Sequence, residues 1–545
     1  MDTNSSKKRF VSGVSVLTLS ALLVKVIGLL YKIPLLHALG AEGMGYFNAA
    51  YEIYTLFFVI STAGLPVAIS VLIAESAAGG RLKNVSRIHK ISFSIFVAVG
   101  AVGSLCMGLG ARVLSGWLES DKAFLSVLAI SPAMLFVCAS GAVRGFFQGC
   151  QNMIPTAISQ VIEALGKLLL GLSFALLGVK RGLPVEVCAA LSVLGVAVGS
   201  LVCTLYLLVQ KHTFMLVCPQ EKVDLSMDPP KDIIKRLVCL AIPVTLSSSL
   251  SGISRIVDMT VLLRRLQDIG FSADVAAAMY GSYSTLAVPV YHLPASLVAG
   301  ISVALVPTLA SAVEEKNGER ASDLILSSVR LCSLVALPCG AGIAVFSRPI
   351  LSLLFAGEGE SIALAAPLLT VLGLSVLSSC LSAVTSAVLH AYKKVSLPIY
   401  SMLAGTAIKI VSAHFLIGRA EVGIMGAPIS TLLCNLVSVG INLYYIDKAT
   451  HFSASLLPVL ARPFWATALS VGGALVLYGA LCRDGCTERL AFLLSLALCA
   501  PAYLLFSLLF GAFSEEDLEM LSSGGSIVSF LKKLKIFNIY RKDKT

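Results

Sequence analysis

Eight basic side chains stand inside, or at the edge of, long apolar runs of this 545-residue chain: Lys25, Lys32, Arg112, Arg144, Lys167, Arg255, Arg330 and Lys409. A charge in such a run is costly to desolvate, so it marks a hydrated cavity, a ligand pathway or an opposite charge nearby. Lys25 is the clearest case. Within the apolar run 10–36 it lies roughly 20 Å from each end at about 1.5 Å per residue, farther than a lysine stem reaches by snorkelling. Lys32 follows two turns later on the same helical face, with Gly28 between them and no acid in the run. The chemistry these residues offer is electrostatic capture of an anion, above all phosphate or carboxylate.

Other candidates carry two readings each. Arg255 and Asp258 are three apart, so they either pair along one helix or face a cavity. Glu163 and Lys167 have the favourable i,i+4 order for a structural pair. Glu52 is placed to answer Lys25 or Lys32, and His292, just before Pro294, either lines a cavity or is a hydrogen-bonded core histidine. Arg112 and Arg330 lie near enough to run ends to snorkel. The candidate substrate-binding set is Lys25, Lys32, Arg255, Glu52 and His292; Asp258, Glu163 and Lys167 are candidates for structural or coupling roles. No residue pattern suggests a metal, a cofactor or covalent catalysis. Cys482 and Cys486 are the one close cysteine pair, and their spacing leaves a disulfide open.

The elements that must position these groups follow from composition. Hydrophobic residues make up 57% of the chain and charged residues 13%, about half of the roughly 25% charge of a soluble domain. Mean hydropathy is +0.90. Such a chain cannot cover a water-facing globule, but it can face lipid in segments of about 20 residues. Apolar runs give spans near 10–36, 46–74, 91–117, 123–147, 155–178, 186–210, 237–263, 276–310, 324–347, 362–390, 396–417, 423–446, 457–481 and 490–511. The expected class is an all-α polytopic membrane protein of about fourteen transmembrane helices. The run after Lys7, Lys8 and Arg9 is too long for a signal peptide and reads as a retained first span.

The net charge of +11 reflects basic loops rather than nucleic-acid binding. Arg81, Lys83, Arg87, Lys90, Lys231, Lys235, Arg236, Lys393, Lys394 and the lysines of the C-terminal tail fall on the side of the N-terminus, and the opposite loops are poorer in Lys and Arg. That asymmetry puts both termini in the cytoplasm. Expected boundaries are 1–211 for a first lobe of six spans, 212–236 for a cytoplasmic linker, 237–447 for a second lobe of six, 448–511 for two extra spans and 512–545 for a basic tail. The segments Ala142–Lys167 and Ala383–Lys409 share a small-residue helix, a polar turn, a proline and another small-residue helix. They fall at matching places in two parallel halves, a known transporter plan. No loop is long enough for a catalytic domain or holds the clustered acids and histidines that a membrane-embedded glycosyltransferase would need.

Three stretches carry a resemblance: LVKVIGLLYKIPLLHALGAEGMGYFNAAYEIY with STAGLPVAISVLIAE within Leu23–Glu75, RGFFQGCQNMIPTAISQVIEALGK, and VYHLPASLVAGISVALVPTLASA over 290–312. They resemble the polysaccharide-exporter and MurJ-like branch of the MATE-like (MOP) flippase superfamily, nearest the stage V sporulation protein B family. The resemblance implies two pseudo-symmetric lobes of fourteen helices working by alternating access, with lipid II as cargo. It implies no enzyme activity. Partners implied are a polyprenyl-linked sugar, the bilayer and a coupling cation or proton. The family's basic positions in the first span fall on Lys25 and close to Lys32, where arginine is common. Its proline-flanked segment falls on His292–Pro307, where the basic residue carried by related flippases is not matched; Arg255 stands as the candidate replacement. A cation-coupled multidrug exporter of the same superfamily would be expected to carry an acid in span 1. Export of another polyprenyl-linked polysaccharide fits the same residues.

Overall fold

The computed structural model describes residues 3–62, 64–78, 81–117, 120–150, 152–217, 228–315, 317–394, 396–450 and 457–513. Every apolar run among them folds as helix, with no strand, because a helix satisfies its own backbone groups without water. The expected tail beyond 513 and most of the linker, 218–227, lie outside the described residues.

The chain divides into two compact units, Met1–Thr285 and Leu286–Thr545. In the first, the helices are α1 (Thr3–Thr62), α2 (Leu65–Ala78), α3 (Leu82–Leu109), α4 (Ala111–Trp117), α5 (Phe124–Gly149), α6 (Ile154–Gly166), α7 (Leu172–Lys180), α8 (Val185–Val217), α9 (Pro230–Asp268) and α10 (Ala273–Ser282). In the second they are α11 (Val288–Glu314), α12 (Gly318–Val345), α13 (Ser347–Leu354), α14 (Gly359–Ala391), α15 (Ser396–Ile417), α16 (Gly426–Thr450), α17 (Leu457–Arg483) and α18 (Glu488–Leu509). α9 and α10 pack with α1 inside the first unit.

Twelve helical segments among the described residues are long and apolar enough to cross a membrane. Fourteen were expected, and the difference has two sources. Leu23–Thr62 is one continuous segment but bends at Gly40, whose φ of 67° is a left-handed conformation that a Cβ would strain. The 39-residue α9 is not among the twelve, and several of its side chains between 243 and 253 lie outside the described set. Pro34, by contrast, sits inside α1 without ending it. The expected span 46–74 is cut by a break at Gly64 between α1 and α2.

Within the first unit α5 is the most enclosed helix, packed by α3 and α8. The second leg of α1 crosses α10 so closely that a Cβ on Gly45 would collide with the Ala277 carbonyl, and one on Gly281 with the Ala41 carbonyl. Between α6 and α7 the chain makes a π-helical turn, Lys167–Gly171, whose Gly171 lies directly against Gly195 of α8. A second π turn, Tyr283–Ala287, follows α10. Such turns free backbone carbonyls and frequently sit at functional sites. In the second unit α14 is central, packed by α11, α12 and α16, while α17 and α18 pair beside α12. Asn442 Nδ2 donates to Thr385 Oγ1 there at 3.0 Å. Cys482 and Cys486 are free thiols.

Candidate functional site

The two legs of α1, the π turn after α6, α9 and the π turn after α10 bring most of the singled-out charges into one unit. Lys32, half-buried on the first leg, donates from Nζ to the Ser284 carbonyl at 3.1 Å. Asn48 on the second leg steadies the same turn, its Nδ2 lying 2.9 Å from Ser284 Oγ and 2.8 Å from Thr285 Oγ1. Glu52, one turn beyond Asn48, accepts from Arg255 Nε of α9 at 3.1 Å. Lys32 lies within electrostatic reach of both Glu52 and Lys167.

Two carboxylates that spacing linked to lysines accept from arginines of other helices. Glu52 accepts from Arg255, and stays within electrostatic reach of Lys32. Asp258 is half-buried one turn along α9. Glu163 Oε2 accepts from Arg144 Nη2 of α5 at 2.8 Å and acts on Lys167 only at electrostatic range. Arg144 is held further by Ser159 Oγ at 2.9 Å and Cys203 Sγ at 3.2 Å. Lys167 instead stands over aromatic faces, with Nζ 4.1 Å from the ring centre of Tyr51, 5.3 Å from Tyr31 and 5.7 Å from Phe47.

Lys25 lies exposed on the first leg of α1. His292 belongs to the second unit, exposed, with its ring 4.8 Å from that of Tyr291, whose hydroxyl accepts from Asn435 at 3.0 Å. Arg112 rests over the Phe124 ring at 5.5 Å. Among the described residues no group of three or more His, Cys, Asp or Glu is placed to hold a metal ion.

Polar clusters lie at the two ends of this unit. At one, the Tyr46 hydroxyl is 2.7 Å from Glu42 Oε1 and 2.9 Å from Asp274 Oδ1, and Lys122 Nζ is 2.8 Å from Asp274 Oδ2. At the other, Asp228 accepts from Arg81 at 2.9 Å and from Asn84 at 2.8 Å, and Arg236 pairs with Glu75. The Asn84 amide, and after it the Arg81 guanidinium, hold the Asp228 carboxyl below its ordinary range.

Sequence reading passed over Arg144 as an anchor and over the aromatic row. The row was visible: Phe47, Tyr51, Tyr54 and Phe58 recur at helical spacing, with successive ring centres 5.9, 5.7 and 6.0 Å apart. The Arg144–Glu163 contact joins two helices, and no spacing rule reports it.

The sequence profile of polysaccharide biosynthesis proteins matches residues 10–313, more than half of the chain. The chain belongs to that family. A MatE profile matches residues 274–415. An uncharacterized membrane protein of Bacillus subtilis (strain 168), YabM, is 26% identical over 530 residues, covering 96% of each chain. The stage V sporulation protein B of the same organism is 26% identical, over 78% of this chain and 81% of that one. Its lipid II flippase MurJ is 24% identical, over 82% and 84%. Among solved structures, lipid II flippase MurJ in an inward closed conformation superposes with a TM-score of 0.65 at 16% identity, over 91% of this chain and 98% of that one. An inward-facing multidrug-resistance MATE transporter of the MOP superfamily gives 0.65 at 16% identity, over 79% and 96%. The fold is therefore that of MOP-superfamily transporters, as expected from the sequence. Twelve described segments of this family member are long and apolar enough to cross a membrane, and the relatives and solved structures it resembles include flippases and transporters.

Proposed function

We propose that this family member flips a polyprenyl-diphosphate-linked cell-wall precursor, with lipid II the favoured cargo, to the outer leaflet of the bacterial plasma membrane by alternating access. Both termini lie in the cytoplasm. The observation that carries the reading is the gathering of Lys32 and Arg255 from distant parts of the chain into one unit with Glu52. Arg255 and Glu52 are 42% and 24% exposed, and an exposed pair is worth only about 0–1 kcal/mol. A phosphate that makes charge-assisted hydrogen bonds of about 1.5–3 kcal/mol each displaces such a carboxylate. Arg255 offers the planar fork for a phosphate, and Lys32 a movable point charge. Lys25, exposed on the same helix, is the outlying member of the cationic row.

The polyprenyl tail stays in lipid, and no covalent step occurs. A coupling proton or cation loads at Glu52 or Asp258. The names of the MurJ relatives support lipid II; the shared profile supports the wider class of lipid-linked polysaccharide units. Rescue of a strain depleted of its flippase is the test in cells. A Lys25→Ala/Lys32→Ala variant, expressed at the normal level, should fail to restore growth. Full rescue would remove these lysines from the cargo site.

A further inference from the structure

We propose that Lys167 is the residue that receives the cargo's phosphate, its ammonium being held on the faces of Tyr31, Phe47 and Tyr51 until an anion draws it off. The inference rests on the flippase reading above and names a cargo contact within the same unit.

The carboxylate that spacing assigns to Lys167 is already committed. Glu163 binds Arg144 at 2.8 Å, and Ser159 and Cys203 fix that guanidinium in place. Among the described residues, no oxygen hydrogen-bonds to Lys167 Nζ; ring faces at 4.1, 5.3 and 5.7 Å are what it touches. An ammonium has three N–H donors. A desolvated cation–π contact returns about 2 kcal/mol, while removing an ion from water costs several kcal/mol even after relaxation. The rings hold Lys167 without satisfying it.

Lys32 is in a similar state, because it donates to the neutral Ser284 carbonyl at 3.1 Å. Lys32 and Lys167 carry like charge within one unit, and both neighbour the aromatic row of α1's second leg through Tyr31 and Phe47. Glu52 and Glu163 act on these two ammonium groups at electrostatic range, but neither lysine is hydrogen-bonded to a carboxylate among the described residues, so both keep N–H donors for a ligand. A diphosphate supplies charge for both. The backbone favours a moving side chain on a fixed base: the π turn starts at Lys167, and its other end is pinned by Gly171 against Gly195. Four methylenes then let the ammonium swing from ring to phosphate while its Cα stays in place.

The ligand class is a phosphate or diphosphate, either carried on a lipid or free in water. The full chain, purified in detergent, would be titrated with farnesyl diphosphate, with inorganic pyrophosphate and with farnesol as the uncharged control. Lys167→Met should weaken farnesyl diphosphate binding about tenfold or more, equivalent to about 1.4 kcal/mol, and leave farnesol binding unchanged. Lys167→Arg, which keeps the charge, should restore most of it, and Lys167→Gln replaces Lys167→Met if the latter does not melt as a folded protein. Equal loss with pyrophosphate identifies free phosphate as sufficient; loss confined to farnesyl diphosphate identifies a lipid-borne phosphate. Wild-type affinity in folded Lys167→Met, alongside weakened binding in Lys32→Met, overturns the role of Lys167 and leaves the flippase reading standing. Wild-type affinity in Lys167→Met, Lys32→Met and Arg255→Gln alike overturns both.

Discussion

Glu52 accepts a hydrogen bond from Arg255 at 3.1 Å and so ties the second leg of α1 to α9, more than two hundred residues along the chain. The carboxylate occupies the guanidinium that a cargo phosphate would otherwise engage. Glu52→Gln removes that competitor, so binding of a diphosphate probe should tighten by about threefold to tenfold, in line with the small worth of an exposed pair. Isothermal titration measures it; weaker binding would mean that Glu52 assists the cargo rather than excluding it.

Arg144 and Glu163 form the enclosed counterpart, with side chains 14% and 25% exposed. Breaking such a pair from one side leaves a stranded charge, and Arg144→Met should destabilise the protein by about 3–5 kcal/mol. Arg144→Met/Glu163→Leu should recover most of that loss, because no charge is then stranded. Thermal unfolding in detergent compares the two.

Asp228 supplies a pH dependence outside the spans. Its folded carboxyl titrates below the ordinary value of 3.8, chiefly through Asn84 and then Arg81. A depressed carboxyl stabilises the fold fully above its unfolded value and loses that contribution as pH falls through the folded one. The difference in melting temperature between wild type and Asp228→Asn should therefore be constant above about pH 5 and shrink below pH 4. Its size should correspond to less than about 1 kcal/mol, since the Arg81–Asp228 pair is more than a quarter exposed. A difference that grows on acidification would contradict the assignment.

The crossing of α1 and α10 gives a steric prediction. A Cβ at Gly281 meets the Ala41 carbonyl, which is backbone and cannot swing aside. Gly281→Ala should cost about 1–3 kcal/mol as overpacking. Gly473→Ala in α17, where a new Cβ touches nothing within 4 Å, should be neutral or gain up to about 1 kcal/mol of helix propensity.

The sequence made the helical class, the positions of most spans and the family legible, because each is written in local runs and contiguous blocks. It also picked out Lys32, Glu52, Arg255, Glu163 and Lys167 as charges that need an explanation. Their partners were less legible. Spacing rules consider neighbours on one helix, whereas Glu52–Arg255 and Arg144–Glu163 each join two helices. In both cases the rule proposed a same-helix partner, Asp258 for Arg255 and Lys167 for Glu163. The gap expected between spans 10–36 and 46–74 contains the break at Gly40, and Pro34 stays inside the helix, as a bundle allows; that the break is a left-handed glycine is invisible until the backbone is seen.

Transport in proteoliposomes bears most directly on the proposed activity. Wild-type protein should move fluorescent lipid II between leaflets, and Lys32→Ala/Arg255→Ala, folded and inserted at the same density, should do so about tenfold more slowly or not at all, as expected from the loss of two charge-assisted contacts. Equal rates in the two proteins would contradict the cationic cluster as the cargo site.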